Sequence, residues 1–591
     1  MTALCAVMSL SLLAAAARPA RSGEVWRMSE FRFAASADYD AGGGDDMRFD
    51  ATFSNRTSGA VIRRPGFWDG GSAFLVRFAP TAAGVWDWRT ASGDKALDGQ
   101  SGSFEALPYK GPHAIYRHGF LRAEPGKKHL TYADGTPFFY LGDTHWGMYR
   151  EEMDAPGPHA GGTGAASHFK FIVDRRVQQG FTVYQSEPIG AAFRLADGHV
   201  DAADIAGFRL ADRYYRYLAD AGLVHANAEF FFPSEMTDGL AGDAAALERL
   251  SRYWVARFGA FPVLWTLAQE IDNDFYAERK GHRWNFRNNP WVKVAEFIHR
   301  HDAYAHPLSG HQESAWDTTV TGAGTVKDKD PALSGDGRSV FCSAEVTRRT
   351  GHSWWAAQWS PDLAGPVSLD AVRDYWASDK PAVCYEGRYC GLWTKDFGAR
   401  AQGWIAFLSG FCGYGYGAID QWLYMSDYDV DRPSHDGVET ISVEDKARPW
   451  CESLEYPSAA QMAHLKRFLT SFDWWNLKPD LVERRPGDVG RGVAGVHAVA
   501  GVRHVFYFYG KDRRTIPVSG LERGGVYALR WFDPRSGEWS GESSVRADES
   551  GRLVLPDRPD EQDWALELMP CRRSSGLAPT LRLRREIRIF V

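Results

Sequence analysis

Between about Ile115 and Trp475 the chain alternates short apolar segments with helix-like segments eight times. The apolar segments are rich in β-branched and aromatic residues, whereas the segments between them show helical periodicity, and some end at glycines such as Gly180 and Gly222. Such alternation is typical of a parallel sheet whose strands are joined by helices, and eight repeats close the sheet into a barrel. We therefore expect residues 115–475 to form a (β/α)8 TIM barrel.

Catalytic side chains of such barrels lie where the strands end, so we look for candidate catalytic residues at the ends of the predicted strands. In chain order the strand segments are PFFYLGDTHW, FTVYQSEP, LVHANAEFFF, PVLWTLAQE, HPLSGHQE, GHSWWAAQWS, KPAVCYE and GYGYGAIDQW. The seventh ends at Glu386, directly before Gly387, and the fourth ends at Glu270, directly after Gln269. The alternatives are a surface-turn acid at Glu386 and a helix-capping acid at Glu270. Asp272 and Asp274 compete with Glu270 for its role, and Asp272 is the stronger rival.

Other polar and aromatic residues fall at or just beyond predicted strand ends, and we predict that they bind the substrate. They are Asp143, His145, Trp146, Gln185, Gln269, His311, His352, Tyr385, Trp393 and Trp422. The alternative for the histidine and aromatic residues is packing in the core. For Asp143 it is a buried structural acid.

Composition narrows the class of partner. Aromatic residues make up 14% of the chain, with 23 Trp, and their flat faces suit sugar rings as well as protein cores. The net charge of -7 gives no basic surface, so nucleic acid is not expected as a partner. The histidines show no HExxH spacing and the cysteines form no CxxC pairs, so we expect no metal and no other cofactor. Cys384 and Cys390 flank Glu386 and either form a disulfide or stay separate thiols.

The chain begins with a pattern that predicts export. Residues 1–22 contain the short apolar run Leu10–Ala17, followed by the small residues Ala20 and Ser22 at a cleavage site. The run is too short to span a bilayer. We therefore expect a signal peptide, no membrane span, and a secreted or periplasmic protein.

Two further regions have an all-β pattern of short aromatic and β-branched segments separated by turns. They cover residues 23–107, where Glu24–Met28 is one predicted strand, and residues 476–570. Each is predicted to be a β-sandwich. The Arg-rich residues 571–591 are predicted to be a disordered tail.

Three stretches resemble known families. FWDGG with the following FLVRFAPTAAGVWDW resembles the DUF5060 domain, FFYLGDTHW with CYEGRYCG resembles the apiosidase-like glycoside hydrolases of the DUF4038 type, and WFDPRSGEW resembles a C-terminal domain labelled collagen-binding. The resemblance implies a hydrolase barrel between two β-domains. Two features depart from it. Ala268, Gln269 and Glu270 stand where members often have an Asp after paired glycines, and Cys390 stands where many have a second Glu. Apiose is therefore not carried over as the substrate.

Cleavage of a glycosidic bond requires an acid for the leaving oxygen and a carboxylate that faces the anomeric carbon. We assign Glu270 as the general acid/base and Glu386 as the nucleophile, while Gln269 holds a sugar hydroxyl or orients the nucleophile. The predicted function is a retaining glycoside hydrolase that acts on a complex polysaccharide or glycan. The alternative is a non-catalytic glycan- or matrix-binding protein on a degenerate barrel. The two differ in whether Glu270 and Glu386 face each other across the pocket.

Overall fold

The computed structural model describes residues 21–40, 43–158, 160–188, 191–193, 195, 197–227, 236, 239–268, 290–312, 353–358, 375–391, 396–418, 421, 449–480, 494–509, 513–515 and 517–571. Contacts along the chain divide it into two compact units, Met1–Thr470 and Ser471–Val591. Among the described helices, none has both the length and the apolar character that crossing a membrane requires.

The first unit begins with short, mostly antiparallel strands. They are β1 (Arg21–Glu24), β2 (Ser29–Tyr39), β3 (Phe49–Asn55), β4 (Val61–Pro65), β5 (Phe67–Trp68), β6 (Gly71–Phe78), β7 (Gly84–Ser92) and β8 (Ser101–Leu107). One sheet has the order β1-β8-β7-β3-β4 and the other β2-β6-β5. Phe53 of β3 stacks on Phe78 of β6 with ring centroids 3.9 Å apart, so aromatic side chains pack between the two sheets. The all-β character predicted for this region is confirmed.

The predicted strand Glu24–Met28 is wrong. Strand β1 ends at Glu24 and the chain then turns. Trp26 has a φ of 64°, a left-handed conformation that a regular strand does not contain. Its ring packs on Phe120 with centroids 5.1 Å apart, so a tertiary contact replaces the strand that the residue types favour.

Each of the eight segments predicted as strands of the central region contains a parallel strand. After a hairpin of β9 (Leu121–Arg122) and β10 (Thr131–Tyr132) come β11 (Tyr140–Thr144), β12 (Val183–Ser186), β13 (Val224–Asn227), β14 (Val263–Trp265), β15 (His311–Gln312), β16 (Trp355–Gln358), β17 (Ala382–Glu386) and β18 (Gly413–Tyr416). The order in the sheet is β14-β13-β12-β11-β18-β17-β16-β15. The sheet curls, so that β14 at one end of this order approaches the segment just before β15 at the other. The Trp265 N–H donates to the Pro307 oxygen over 3.0 Å, and the Ser309 N–H donates to the Trp265 oxygen over 2.7 Å.

Helix α1 (Ala114–Arg117) precedes the hairpin. Between the parallel strands lie α2 (His168–Gln178), α3 (Asp204–Asp220), α4 (Ala244–Phe258), α5 (Trp291–His301) and α6 (Asp396–Leu408), as the alternation predicts. Helices α7 (Trp450–Ser453) and α8 (Pro457–Leu469) follow β18. Helix α2 has a recognisable signal at each end: the side chain of Ser167 accepts from the Lys170 N–H, and Gly180, with a φ of 87°, takes the chain out of the helix.

Strand alternation gives the sheet an inner and an outer face. A Cβ atom on Gly142 of β11 would lie 2.1 Å from Oε1 of Gln185, so Gly142 leaves room for an inner-face side chain of the next strand. The neighbouring Asp143 points the other way and accepts from Arg176 of α2. Adjacent positions of β11 therefore face opposite sides of the sheet.

Buried charges join the N-terminal sheets to the helices. Arg77 of β6 and Arg257 of α4 each donate to Asp212 of α3 over 2.7 Å. Arg257 also donates to Asp69 over 3.1 Å. Burial by itself raises the pKa of Asp212, but the charges of the two guanidinium groups lower it to about 2.

The second unit contains a separate antiparallel sheet. Its described strands are β19 (Lys478–Pro479), β20 (Ala494–Ala500), β21 (Arg503–Tyr509), β22 (Val526–Asp533), β23 (Glu538–Trp539), β24 (Ser543–Arg546) and β25 (Trp564–Pro570). The order is β19-β20-β21-β25-β22-β23, and β24 also pairs with β22. Leu529, Leu566 and Leu568 belong to the buried apolar cluster of this unit.

Candidate active site

A bulge at the end of β17 shapes the candidate site. Cys384 pairs with Ala357 of β16, but the next pair is Glu386 with Gln358, so Tyr385 is an extra residue in β17. A bulge breaks the alternation of side chains and re-aims them. As a result Tyr385 and Glu386, although consecutive, both contact His311.

Glu386 is buried, with 2% of its surface exposed, and nitrogen and oxygen donors surround its carboxylate. The Tyr389 hydroxyl donates to Oε1, and Gln358 Nε2 donates to Oε2 over 2.8 Å. His311 Nε2 lies 3.1 Å from the same Oε2. Burial alone raises the pKa of Glu386, but these contacts with His311, Tyr389 and Gln358 outweigh it and hold the pKa below its ordinary 4.5. The group is therefore an ionised carboxylate in a dry environment.

Aromatic side chains surround the Glu386 site. Trp146, two residues beyond β11, donates its indole N–H to the Tyr389 hydroxyl over 2.8 Å. The ring centroid of Trp146 lies 5.5 Å from that of His311 and 5.7 Å from that of Tyr385. The structure thus brings together four residues that the sequence singles out separately: Trp146, His311, Tyr385 and Glu386.

Gln185 of β12 lies on the inner face of the sheet, where it links strands. Its Nε2 donates to the backbone oxygen of Tyr385 over 2.7 Å, and its Oε1 accepts from the Tyr140 hydroxyl over 3.1 Å. The first bond holds the bulged residue in place. Gln185 is therefore near the candidate site, in contact with its backbone.

Asp143 and His145 form a different cluster, between the sheet and α2. His145 Nε2 bonds to Asp143, its Nδ1 lies 2.6 Å from Glu151 Oε1, and its ring stacks on Tyr184. Burial lowers the pKa of His145, but the charges of Glu151 and Asp143 raise it to about 9, so the imidazole is a cation. The structure brings these residues together with one another, and a contact of Asp143 or His145 with a sugar stays a prediction.

The remaining predicted site residues are outside the described part of the chain. They are Gln269, Glu270, His352, Trp393 and Trp422. The pairing of Glu270 with Glu386 therefore stays a prediction.

Sequence reasoning missed three members of the described site. Tyr389 and Gln358 contact Glu386 directly, and the buried Glu187 follows β12, with its charge contributing to the raised pKa of Tyr389. Glu187 carries the signal that was used for Glu386, an acid at the end of a predicted strand. Gln358 gives no such signal, because its role depends on the register between β16 and β17.

The described cysteines and possible metal ligands near the site can be placed individually. Within the described residues, no group of three or more His, Cys, Asp or Glu side chains is arranged to hold a metal ion. Cys384 and Cys390 are both thiols, so the structure shows the second of the two alternatives. Cys384 Sγ lies 4.0 Å from the backbone oxygen of Glu386, whereas Cys390 Sγ lies 3.7 Å from Asp396.

Family models show which kind of domain contains this site. The model described as "Apiosidase-like, catalytic domain" matches residues 124–476, more than half of the chain. The chain belongs to the Apiosidase-like family. A second model, the domain of unknown function DUF5060, matches residues 22–93. The collagen-binding label of the C-terminal region stays a prediction.

Solved structures show the fold of this Apiosidase-like protein. A structure from Bacteroides vulgatus ATCC 8482, described as a glycoside hydrolase, is 16% identical with a TM-score of 0.63, and the match covers 93% of this chain and 100% of that one. A glycoside hydrolase family 5 structure from the same organism is 15% identical with a TM-score of 0.53, covering 78% and 95%. A third structure, named "Glycoside hydrolase", is 15% identical with a TM-score of 0.52, covering 78% and 98%. No curated protein matches the chain.

Proposed function

We propose that this protein is an exported glycoside hydrolase that cleaves a glycosidic bond in a complex polysaccharide or glycan with retention of configuration. The observation that carries the proposal is Glu386. It is a buried carboxylate with a lowered pKa at the carboxyl end of a parallel strand, inside the matched catalytic domain. An ionised and desolvated carboxylate is what a nucleophile at an anomeric carbon requires.

In this mechanism Glu386 and Glu270 share the work of two steps. First, a Glu386 oxygen forms a bond to the anomeric carbon while the bond to the leaving oxygen breaks, and Glu270 protonates that oxygen. Second, Glu270 takes a proton from water, the water oxygen attacks the anomeric carbon, and Glu386 is released. Gln269 is proposed to hold a sugar hydroxyl or to orient Glu386.

The proposal includes a complete architecture around this site. The backbone bonds from Trp265 to Pro307 and Ser309 support a closed (β/α)8 barrel over residues 115–475. The facing N-terminal sheets support a β-sandwich at residues 23–107. A second β-sandwich is proposed for residues 476–570, where the structure describes one antiparallel sheet. Residues 1–22 are proposed as the export signal, which makes the protein secreted or periplasmic.

Turnover on a panel of substrates tests the proposal. The wild-type protein is incubated with 4-nitrophenyl glycosides and with plant and bacterial polysaccharides, and released sugars are read by chromatography. We expect hydrolysis of at least one substrate. In Glu386→Gln we expect turnover to fall by at least about 10³-fold, because the bond-forming oxygen is lost.

Two comparison variants make the result specific. Glu270→Gln should keep the first step on aryl glycosides with good leaving groups, and added azide should speed its turnover by attacking the glycosyl-enzyme without a base. Tyr416→Phe removes a buried hydroxyl that bonds to Ser458, away from Glu386, and should keep wild-type turnover. Near-normal turnover in Glu386→Gln would show that the nucleophile is assigned wrongly. Glycan binding without any hydrolysis would favour the non-catalytic alternative.

A further inference from the structure

A chain of two hydrogen bonds leads from Trp146 to Glu386. The indole N–H of Trp146 donates to the Tyr389 hydroxyl over 2.8 Å, and that hydroxyl donates to Oε1 of Glu386. All three side chains are buried. The residues come from separate elements, since Trp146 follows β11 whereas Tyr389 follows β17.

The direction of this chain is fixed by its first member. An indole N–H donates and never accepts, so the Tyr389 oxygen accepts from Trp146. The Tyr389 hydroxyl must therefore donate its own hydrogen bond to another acceptor. The ionised carboxylate of Glu386 is the acceptor in line. Burial, followed by the charge of Glu386, raises the pKa of Tyr389 well above its ordinary 10, so Tyr389 keeps its proton.

The two oxygens of Glu386 have unequal surroundings. Oε2 accepts from Gln358 Nε2 over 2.8 Å and has His311 Nε2 at 3.1 Å, so two side chains occupy its approaches. Among the described residues, Tyr389 alone bonds to Oε1. A carboxylate oxygen has two lone-pair sites, so these surroundings leave one site of Oε1 for another atom.

We propose that Tyr389 and Trp146 are positioning residues that keep Glu386 ionised and turned so that Oε1 attacks the anomeric carbon. This inference rests on the proposed function. When Oε1 bonds to the anomeric carbon, the electron pair of the broken bond leaves with the departing oxygen, which Glu270 protonates. The Tyr389 proton is not transferred, and its hydrogen bond weakens as Glu386 loses its charge.

Several other groups lie near Tyr389 and Glu386 and influence how these two side chains titrate. Among the described residues they are His311 of β15, Gln358 of β16 and Tyr385 of β17, together with Glu187 after β12. The charge of Glu187 adds to that of Glu386 in raising the pKa of Tyr389. Each of these groups is left unchanged in the variants below, so a change in the pH profile reports on Trp146 and Tyr389.

The pH dependence of kcat/KM on the best 4-nitrophenyl glycoside is the main test. In Tyr389→Phe the carboxylate loses a donor, so the pKa of Glu386 rises and the acidic limb should move to higher pH by about one unit. Trp146→Phe keeps an aromatic ring but no longer fixes the phenol, so its limb should move less and in the same direction. The double variant should match Tyr389→Phe, because Trp146 acts only through Tyr389.

A matched control separates this effect from a general loss of packing. Tyr416→Phe, in β18, also deletes a buried tyrosine hydroxyl, one that lies 3.0 Å from Ser458 Oγ, and its acidic limb should stay at the wild-type pH. An unmoved limb in Tyr389→Phe would overturn the proposal while Glu386→Gln stays inactive. Additive shifts in the double variant would overturn it too. Failure of the proposed function looks different, since then Glu386→Gln keeps its turnover.

Unfolding provides a readout that needs no substrate. A lowered pKa of Glu386 stabilises the fold above the unfolded pKa, and this stability is lost as pH falls through the folded pKa. Tyr389→Phe should therefore lower the Tm more at about pH 7 than at a pH low enough to protonate Glu386 in the fold. In the Glu386→Gln background the same change should cost less at about pH 7. Equal losses at both pH values and in both backgrounds would show a packing role alone and overturn the proposal.

Discussion

Glu386 is buried and still ionised, and its surroundings explain how. Loss of water alone raises the pKa of a carboxyl group, since the charged form loses more solvation than the neutral one. His311, Tyr389 and Gln358 offer donors to the charged form, and their combined effect exceeds that of burial. The sequence shows the acid at a strand end, but the donors come from three segments that only the folded chain brings together.

The pH profile of the wild-type enzyme follows from this pKa. Glu386 must be ionised to attack, so activity falls as the pH drops through its pKa, which lies below 4.5. We expect the acidic limb of kcat/KM below pH 4.5 and an alkaline limb set mainly by Glu270, although both limbs belong to the coupled pair. The measurement is kcat/KM against pH on an aryl glycoside. An acidic limb near neutral pH would contradict the surroundings described for Glu386.

The geometry of the two carboxylates is a second prediction at this scale. Retention requires the carboxyl groups of Glu270 and Glu386 to lie roughly 5 to 5.5 Å apart. A crystal structure of the protein with a bound sugar or inhibitor measures the distance. A separation of about 9 Å would indicate inversion instead of retention. A separation beyond about 12 Å would exclude Glu270 as the acid/base.

Strands and helices were largely predictable from the sequence, but the direction of their side chains was not. Periodicity locates all eight central strands, because each is a short apolar run between helical segments. The motif GDTHW also places polar residues at a strand end, yet Asp143 and His145 point towards α2 while Trp146 reaches Tyr389. A bulge such as the one at Tyr385 shifts this alternation, and no residue type marks it in advance.

The buried group of Asp143, His145 and Glu151 leads us to expect a loss of stability at alkaline pH. The pKa of His145 rises from 6.5 to about 9 in the fold, through the charges of Glu151 and Asp143 acting against burial. A raised pKa stabilises the fold fully below the unfolded value of 6.5, and the contribution of about 3 kcal/mol is lost as pH rises through about 9. The free energy of unfolding, measured by urea between these pH values, should therefore decrease.

A substitution beside His145 tests whether this residue causes the dependence of the unfolding free energy on pH. Glu151→Gln removes one of the two charges beside His145, so the protein should be less stable at pH 6.5 and its stability should vary less with pH. Asp134→Asn is the matched control, because Asp134 contacts the half-buried His118 on the surface over 2.7 Å. It should keep the wild-type slope. A wild-type slope in Glu151→Gln would mean that His145 is not the titrating group.

On the scale of the whole molecule, buried ion pairs tie the N-terminal sheets to the α/β region. Asp212→Asn leaves the buried Arg77 and Arg257 with a weaker partner. The expected loss is about 3 to 5 kcal/mol in the free energy of unfolding. Asp87→Asn is the control, since its partner Arg56 is exposed, and it should leave stability unchanged. Equal stability of both variants would show that the buried pairs do not hold the parts together.

Deleting residues 23–107 tests the same junction without choosing one bond. The deletion removes Asp69, a partner of Arg257, and Arg77, a partner of Asp212. It also exposes to water the face of α4 that the N-terminal sheets cover. We expect a lower yield and a lower Tm than for the full chain. The carboxylates of the proposed mechanism remain, so the fraction that folds should keep its KM on an aryl glycoside. A shortened protein with the Tm of the full chain would mean that the α/β region is stable alone and that the N-terminal sheets serve another purpose.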